Sequence, residues 1–424
     1  MAVLLIVFVL LLLLGAPIFY AVAISAASFV AASGSNSLSI ISQKMVDGTV
    51  SATLLALPMF IYSGNLMSCG CTQRLMRFAD MLLGKIPGGL GTAACGGAAF
   101  FGAVSGSGIA TTAAIGTMMG PDMVKKGYKP GYTAAILAGA GAMGAIIPPS
   151  ICFVVYASAT GASVTKMLSA GVIPGILIVF AILLFNCVVS ALCGYGRNDH
   201  RYTLQEAVST TLQAVPTLAM PVFVLGSIMT GIATPTEAAS ISVVYALFLS
   251  AFVYREMDLK TFIAITKQSA MGTAFILIIV SASAPFGWVL SKNNIPMLMA
   301  NAILSISGSK LVITALVVTL LIILGTFMET NSLLILLTPI LWPVMESIGY
   351  DVVHFGIILC VAFAIGGCTP PMAVCLFTST RILKIKVEDT FPDIFVVCGI
   401  MVLVLIFIIA FPQLSLFLPS LSGS

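Results

Sequence analysis

Hydrophobic residues run through this chain in long blocks separated by short polar breaks. Apolar stretches of membrane-spanning length recur to the C-terminal end, for example 173–189, 216–229, 311–324 and 395–411. Turns placed at the breaks predict helices near 2–14, 17–33 and 49–69, a segment pair at 86–120, a broken helix at 133–159 and a helix at 168–194. They then predict helices near 215–231, 234–254 and 269–290, a second pair at 311–343, a second broken helix at 355–380 and a last helix at 393–417. The first block lacks a basic leader and continues to about residue 32, so it reads as membrane structure and not as a signal peptide. Segments 202–213 and 258–268 read as amphipathic helices lying on a membrane surface.

The pattern repeats internally. Residues 121–149 and 343–371 align without gaps, 222 positions apart. Pro121, Met123, Gly127, Tyr128, Ile136, Ala140, Ala142, Gly144, Pro148 and Pro149 match Pro343, Met345, Gly349, Tyr350, Ile358, Ala362, Ala364, Gly366, Pro370 and Pro371. Chance at ordinary residue frequencies gives about two such identities. Both copies end in a Gly-then-Pro-Pro break inside apolar sequence, AMGAIIPPS and AIGGCTPPM. Interrupted hydrophobic segments in matching positions of two halves point to a secondary transporter's binding site. Close helix packing by small residues does not call for two prolines in register in both halves.

Composition agrees. The chain is 60% hydrophobic and 8% charged, where a soluble domain runs near 25% charged. No ten-residue alternating strands of a β-barrel recur. The expected fold class is therefore an all-α polytopic membrane protein. The ten cysteines are scattered through apolar segments and lack zinc-site spacing. The net charge of +4 comes from loop lysines and arginines and implies no nucleic-acid surface.

Those loop charges set an orientation. If loops near 70–86, 121–131, 195–205, 255–268 and 381–390 are cytoplasmic, they hold 14 of the 18 Lys and Arg residues. Only Lys44, Lys166, Lys292 and Lys310 fall elsewhere. Both termini are then outside. The first segment pair has basic flanks and enters from the cytoplasm, and the second enters from outside. The repeats are thus inverted, each with a re-entrant helical hairpin and a broken helix.

The first hairpin turns at Ser105-Gly106-Ser107-Gly108, followed by Thr111. Backbone reversed deep in a bilayer needs a protein or water-lined cavity to satisfy it. Glycine permits the turn, and the serine hydroxyls supply oxygen ligands. The returning helix points its positive dipole end at the tip, which suits a carboxylate. Pro148 and Pro149 lack N–H donors, so carbonyls a turn earlier, around Gly144 and Ile147, are freed for a hard cation. In the second half the tip runs from Gly325 and Thr326 through Glu329, Thr330 and Asn331, facing Gly366 and Thr369. Glu329 is expected either to balance a cation or to cap the returning helix. Glu237, after Pro235, is expected to cap a helix. His200 and His354, in or near loops, carry no assigned chemistry.

An intramembrane enzyme is disfavoured, since no H-E-x-x-H occurs and Ser105 and Ser107 have no nearby base. A channel needs an open path, where a doubled, broken site suggests occlusion. The substrate-binding residues expected are Ser105, Gly106, Ser107, Thr111, Thr326 and Thr330. The cation ligands expected are Ser105, Ser107, Gly144, Ile147 and Pro148 in one half, and Gly325, Thr326, Glu329, Gly366 and Thr369 in the other.

At these residues the chain resembles the large membrane subunit of tripartite ATP-independent periplasmic (TRAP) transporters. The segments LPMFIYSGNLM, GAVSGSGIATTAAIG, PDMVKKGY, IIPPSI, GIATPTEAA, GTFMETNS, HFGII and IGGCTPPMAVCLF carry the likeness over nearly the whole chain. The resemblance implies an elevator-type importer of an organic acid, such as a C4-dicarboxylate or sialic acid, in a bacterial or archaeal inner membrane. It implies two or more Na⁺ sites, one at each hairpin tip. It implies a periplasmic substrate-binding protein and a small four-helix membrane subunit, expected here as a separate chain. A transport domain of 86–160 with 311–380 would slide against a scaffold of 1–85, 161–310 and 381–424. The alternative is a stand-alone Na⁺- or H⁺-coupled organic anion transporter.

Overall fold

A computed structural model describes residues 1–34, 37–196, 202–306 and 309–421, which form twenty-one α-helices and no strand. The sequence positions Arg197, His200 and Arg201 lie outside the described residues. The first half opens with α1 (Ala2–Leu13), α2 (Ile18–Ser33), α3 (Ser39–Asp47), α4 (Ala52–Ser68) and α5 (Cys71–Leu83). A helical hairpin follows, α6 (Gly89–Ser105) and α7 (Gly108–Lys125). Then α8 (Pro130–Ala142), a 3-10 turn at Met143–Ala145 and α9 (Ile151–Thr160) form the broken helix. Next come α10 (Val164–Ala170) and α11 (Val172–Cys193).

The middle of the chain holds α12 (Leu204–Met229), α13 (Pro235–Phe248), α14 (Leu259–Lys292) and α15 (Ile295–Ile306). The second hairpin is α16 (Lys310–Gly325) and α17 (Thr330–Ser347), and the second broken helix is α18 (Val352–Gly366) and α19 (Val374–Leu383). A 3-10 turn at Val387–Thr390, α20 (Asp393–Ala410) and α21 (Gln413–Leu421) close the chain. α7 and α17 begin and end 222 positions apart, so the sequence repeat is also a structural one.

By length and composition, five described helices suffice to cross a membrane: Val164–Cys193, Leu204–Met229, Pro235–Val253, Leu259–Lys292 and Asp393–Ala410. α3 with α4, bent by 61°, makes a sixth. Hairpin arms of 16 to 18 residues and broken-helix arms of 10 to 15 residues must instead satisfy their ends against one another.

Several expectations are corrected. Segments 202–213 and 258–268 are not separate surface helices. They continue without a break into α12 and α14. Capping explains the early starts: Thr203 and Glu206 form a capping box, and Asp258 accepts the Thr261 N–H. With 34 residues, α14 is about 51 Å long at 1.5 Å per residue. The stretches between predicted helices near 34–48 and 291–310 hold α3 and α15, and the supposed loop 70–86 holds α5, which buries Cys71, Leu75, Met76 and Ala79. The final helix divides at Phe411 and Pro412. His354 lies in the first turn of α18, beside its N-cap Asp351, and is buried there with Nδ1 2.6 Å from Ser415 Oγ. Glu237 does cap: its carboxylate accepts the N–H and hydroxyl of Thr234, each at 2.8 Å.

The two halves exchange arms. α19, beyond the second break, packs on α7 and α8 of the first half. α9, beyond the first break, packs on α17 and α18 of the second. This crossing brings both hairpin tips to one place.

Candidate functional site

The first tip is built by two caps. α6 ends at Ser105, and Gly106 takes the left-handed conformation, φ 63°, that turns the chain back. Ser107 then N-caps α7, its hydroxyl accepting the Ala110 N–H at 3.4 Å. Thr111 is fully buried, and its hydroxyl donates to the Ser107 carbonyl at 2.8 Å and lies 2.9 Å from Ser105 Oγ. Oxygens of Ser105, Ser107 and Thr111 therefore cluster inside the tip.

The first break presses against this cluster. A Cβ on Gly144 would stand 2.2 Å from Thr111 Oγ1 and 2.8 Å from the Ser107 carbonyl oxygen, so only glycine fits. In a continuous helix the carbonyls of Gly144 and Ala145 would accept from residues 148 and 149, which are prolines. Ser150 replaces one missing donor, its hydroxyl bonding the Ala145 carbonyl at 2.5 Å. No described group donates to the Gly144 carbonyl. Ile151 N–H crosses to the Gly106 carbonyl at 3.3 Å and ties break to tip.

The second half repeats the scheme with different side chains. Glu329 N-caps α17, its Oε2 accepting the Ser332 N–H at 3.0 Å and the Ser332 hydroxyl at 3.3 Å. Its Oε1 accepts from Asn331 Nδ2 at 2.7 Å. Met372 N–H crosses to the Thr326 carbonyl at 3.1 Å, the counterpart of the Ile151 bond. A Cβ on Gly366 would lie 2.6 Å from Gly325 Cα. Here the freed carbonyls find other donors: Gly366 accepts from Thr369 N–H and Gly367 from Cys375 N–H, each at 3.0 Å.

Both tips and both breaks line one cleft of about 50 Å³. Gly106, Ser107 and Gly108 face Glu329, Thr330 and Asn331 across it. The positive N-terminal ends of α7 and α17 thus converge on one space, which suits a carboxylate. Glu329 takes part in no ion pair among the described residues. The Gly144 carbonyl, to which no described group donates, lies in the break behind the cleft.

Of the residues expected from sequence, Gly106, Ser107, Glu329 and Thr330 line the cleft. Ser105, Thr111, Gly144, Gly325, Thr326 and Gly366 sit directly behind it in the tips and breaks. Ile147 packs toward Gly175 of α11. Pro148 sits in the break, joined to Pro149 by a cis bond. Thr369 donates to the Ile365 carbonyl at 2.8 Å and to Cys398 Sγ on α20 at 3.4 Å.

Sequence reasoning missed Cys152 and Cys375, which line the cleft just inside α9 and α19. They are equivalent positions 223 apart, and the one-residue offset hides them from an ungapped match. Cys152 also lies 3.7 Å from Asn331 Oδ1, joining the first break to the second tip.

Comparison with known proteins identifies the family. The family described as "Tripartite ATP-independent periplasmic transporter, DctM component" matches residues 5–414. The chain is 33% identical to the sialic acid TRAP transporter large permease protein SiaM of Vibrio cholerae, covering 97% of this chain and 96% of that one. It is 35% identical to the C4-dicarboxylate TRAP transporter large permease protein DctM of Pseudomonas aeruginosa, covering 90% and 89%. It is 36% identical to the isethionate TRAP transporter permease protein DctMQ of Oleidesulfovibrio alaskensis, covering 97% of this chain but 65% of that longer relative. Among solved structures, the YdaH transporter of Alcanivorax borkumensis shares the fold, with a TM-score of 0.59 over 88% of each chain at 12% identity.

Proposed function

Because the chain belongs to the family of DctM components of tripartite ATP-independent periplasmic transporters, we propose that it imports an organic acid driven by the Na⁺ gradient. Its relatives are named as transporter permeases, not as enzymes. The observation that carries the proposal is the cleft where two helix N-termini meet beside Glu329, with the Gly144 carbonyl, to which no described group donates, in the break behind it. The helix ends favour the substrate's carboxylate. The oxygens of Ser105, Ser107 and Gly144 favour Na⁺ at the first tip. Those of Gly325, Thr326, Glu329, Gly366 and Thr369 favour it at the second.

The packing supports the following mechanism. Na⁺ orders the tips, and the acid then bridges them. The exchanged arms support reading the hairpins and breaks as one moving body, 86–160 with 311–380. That body carries its load across the bilayer against the remaining helices, as an elevator. A periplasmic binding protein delivers the acid, and a small membrane subunit braces the scaffold, as the tripartite family description supports. The C4-dicarboxylate, sialic acid and isethionate named for relatives set the substrate class to test. The positive-inside pattern supports an inner-membrane protein with both termini periplasmic.

Binding of radioactive Na⁺ to the purified protein tests the site. Saturable binding that weakens when Ser107 or Glu329 is replaced supports the proposal, and no saturable binding would remove it.

A further inference from the structure

Beside the cleft lies a second, larger space of about 930 Å³ between α7, α19 and the turn at Val387–Thr390. Val374, the first residue of α19, lines both, so the two spaces adjoin there. Phe377 and Ile382 give it apolar walls. Arg381 and Lys386 stand on it with one carboxylate, Glu388, leaving a net positive lining. Arg381 is exposed and makes no ion pair among the described residues.

We infer that this groove is a second anion site, which receives the organic carboxylate as it leaves the cleft toward the cytoplasm. The inference rests on the transport function and orientation proposed above. Three observations carry it. The groove adjoins the cleft at Val374, which lines both. Its volume lies within the range of about 300–1,000 Å³ common to small-molecule sites, whereas the cleft is far smaller. Its lining pairs apolar walls for a carbon skeleton with a free guanidinium, whose planar fork of donors matches a carboxylate. The groove's cations also belong to the basic segment 381–390, which the positive-inside pattern places in the cytoplasm. Arg381 thus draws the acid from the tips to the inner face.

The test reads the field of the groove without needing the natural substrate. Thr378, half-buried on the groove wall, is replaced by cysteine, Thr378→Cys. The full chain in membranes is treated with sulfonatoethyl or trimethylammonium-ethyl methanethiosulfonate. The thiolate attacks the reagent's sulfenyl sulfur, forming a mixed disulfide and releasing methanesulfinate. Mass spectrometry follows that peptide alone. With each rate divided by that of a free thiol, the anionic reagent is expected to be favoured. Arg381→Gln is expected to lower the preference at least threefold, and Arg381→Lys to keep most of it. A preference unchanged by Arg381→Gln, or none at all, overturns the inference.

Efflux of labelled succinate or N-acetylneuraminate from proteoliposomes supplies the second readout. Arg381→Gln is expected to raise the half-saturating concentration at the inner face severalfold and leave the outer one unchanged. Na⁺-driven uptake together with an unchanged reagent preference would overturn the groove site and leave the transport function standing. An Arg381-dependent preference without Na⁺-dependent uptake of any acid would keep the anion site and overturn the transport function.

Discussion

Ser107 and Glu329 hold the same post in the two halves. They lie 222 positions apart, and each N-caps the returning arm of its hairpin by accepting a backbone N–H three residues on. The backbone is thus repeated while the charge is not. The first tip offers a neutral hydroxyl and the second a carboxylate. This asymmetry places one carboxylate, Glu329, in the cleft on which the two helix N-termini converge.

Glu329→Ser separates charge from capping, because serine is what the first half carries at this post. The helix cap is retained, and the half-saturating Na⁺ concentration is expected to rise on the order of tenfold, equivalent to about 1.4 kcal/mol. Na⁺ titration of uptake checks this, and an unchanged curve would take Glu329 off the cation path. Glu329→Ala is expected to lose about 1 kcal/mol of stability in addition, from the lost cap.

Ser107→Ala and Thr369→Ala are expected to weaken Na⁺ dependence severalfold without unfolding the protein. Ser107→Ala also removes an N-cap, at a cost of roughly 0.5–2 kcal/mol. Unchanged apparent Na⁺ affinity in both would remove these hydroxyls from the ligand set.

Gly144→Ala and Gly366→Ala each drive a methyl into backbone or hydroxyl oxygen closer than 3 Å. Overpacking of this kind costs about 1–3 kcal/mol and pushes tip from break. Transport is expected to be lost in both, with a lowered melting temperature. Gly399→Ala, whose Cβ meets nothing within 4 Å, is the control and is expected to behave as the wild type.

Much of this was legible in the sequence because the prolines leave a chemical mark. Pro148, Pro149, Pro370 and Pro371 cannot donate, so the breaks and their facing glycines could be placed from residue identity alone. The long reach of α12 was also written, in Thr203 and Glu206, but an amphipathic stretch followed by an apolar one reads as two elements when no breaker marks the join. The exchange of α9 and α19 between halves was not legible, since it depends on packing between segments some two hundred residues apart. Nor was the Ser150 bond, which follows from the path of the chain after the prolines.

That bond yields its own test. Ser150 is buried and supplies the donor that Pro149 lacks, so Ser150→Ala leaves the Ala145 carbonyl unpaired. The expected loss is about 1–3 kcal/mol. Thermal unfolding in detergent should show it as a clear fall in melting temperature, and an unchanged midpoint would mean that another donor takes over.

The most direct test of the central claim is uptake of a labelled organic acid such as sialic acid into proteoliposomes holding this chain and its small membrane partner. An inward Na⁺ gradient is imposed, with and without the cognate periplasmic binding protein. The account predicts accumulation only when Na⁺ and the binding protein are both present. Equal accumulation with K⁺ in place of Na⁺, or with the binding protein left out, would contradict it.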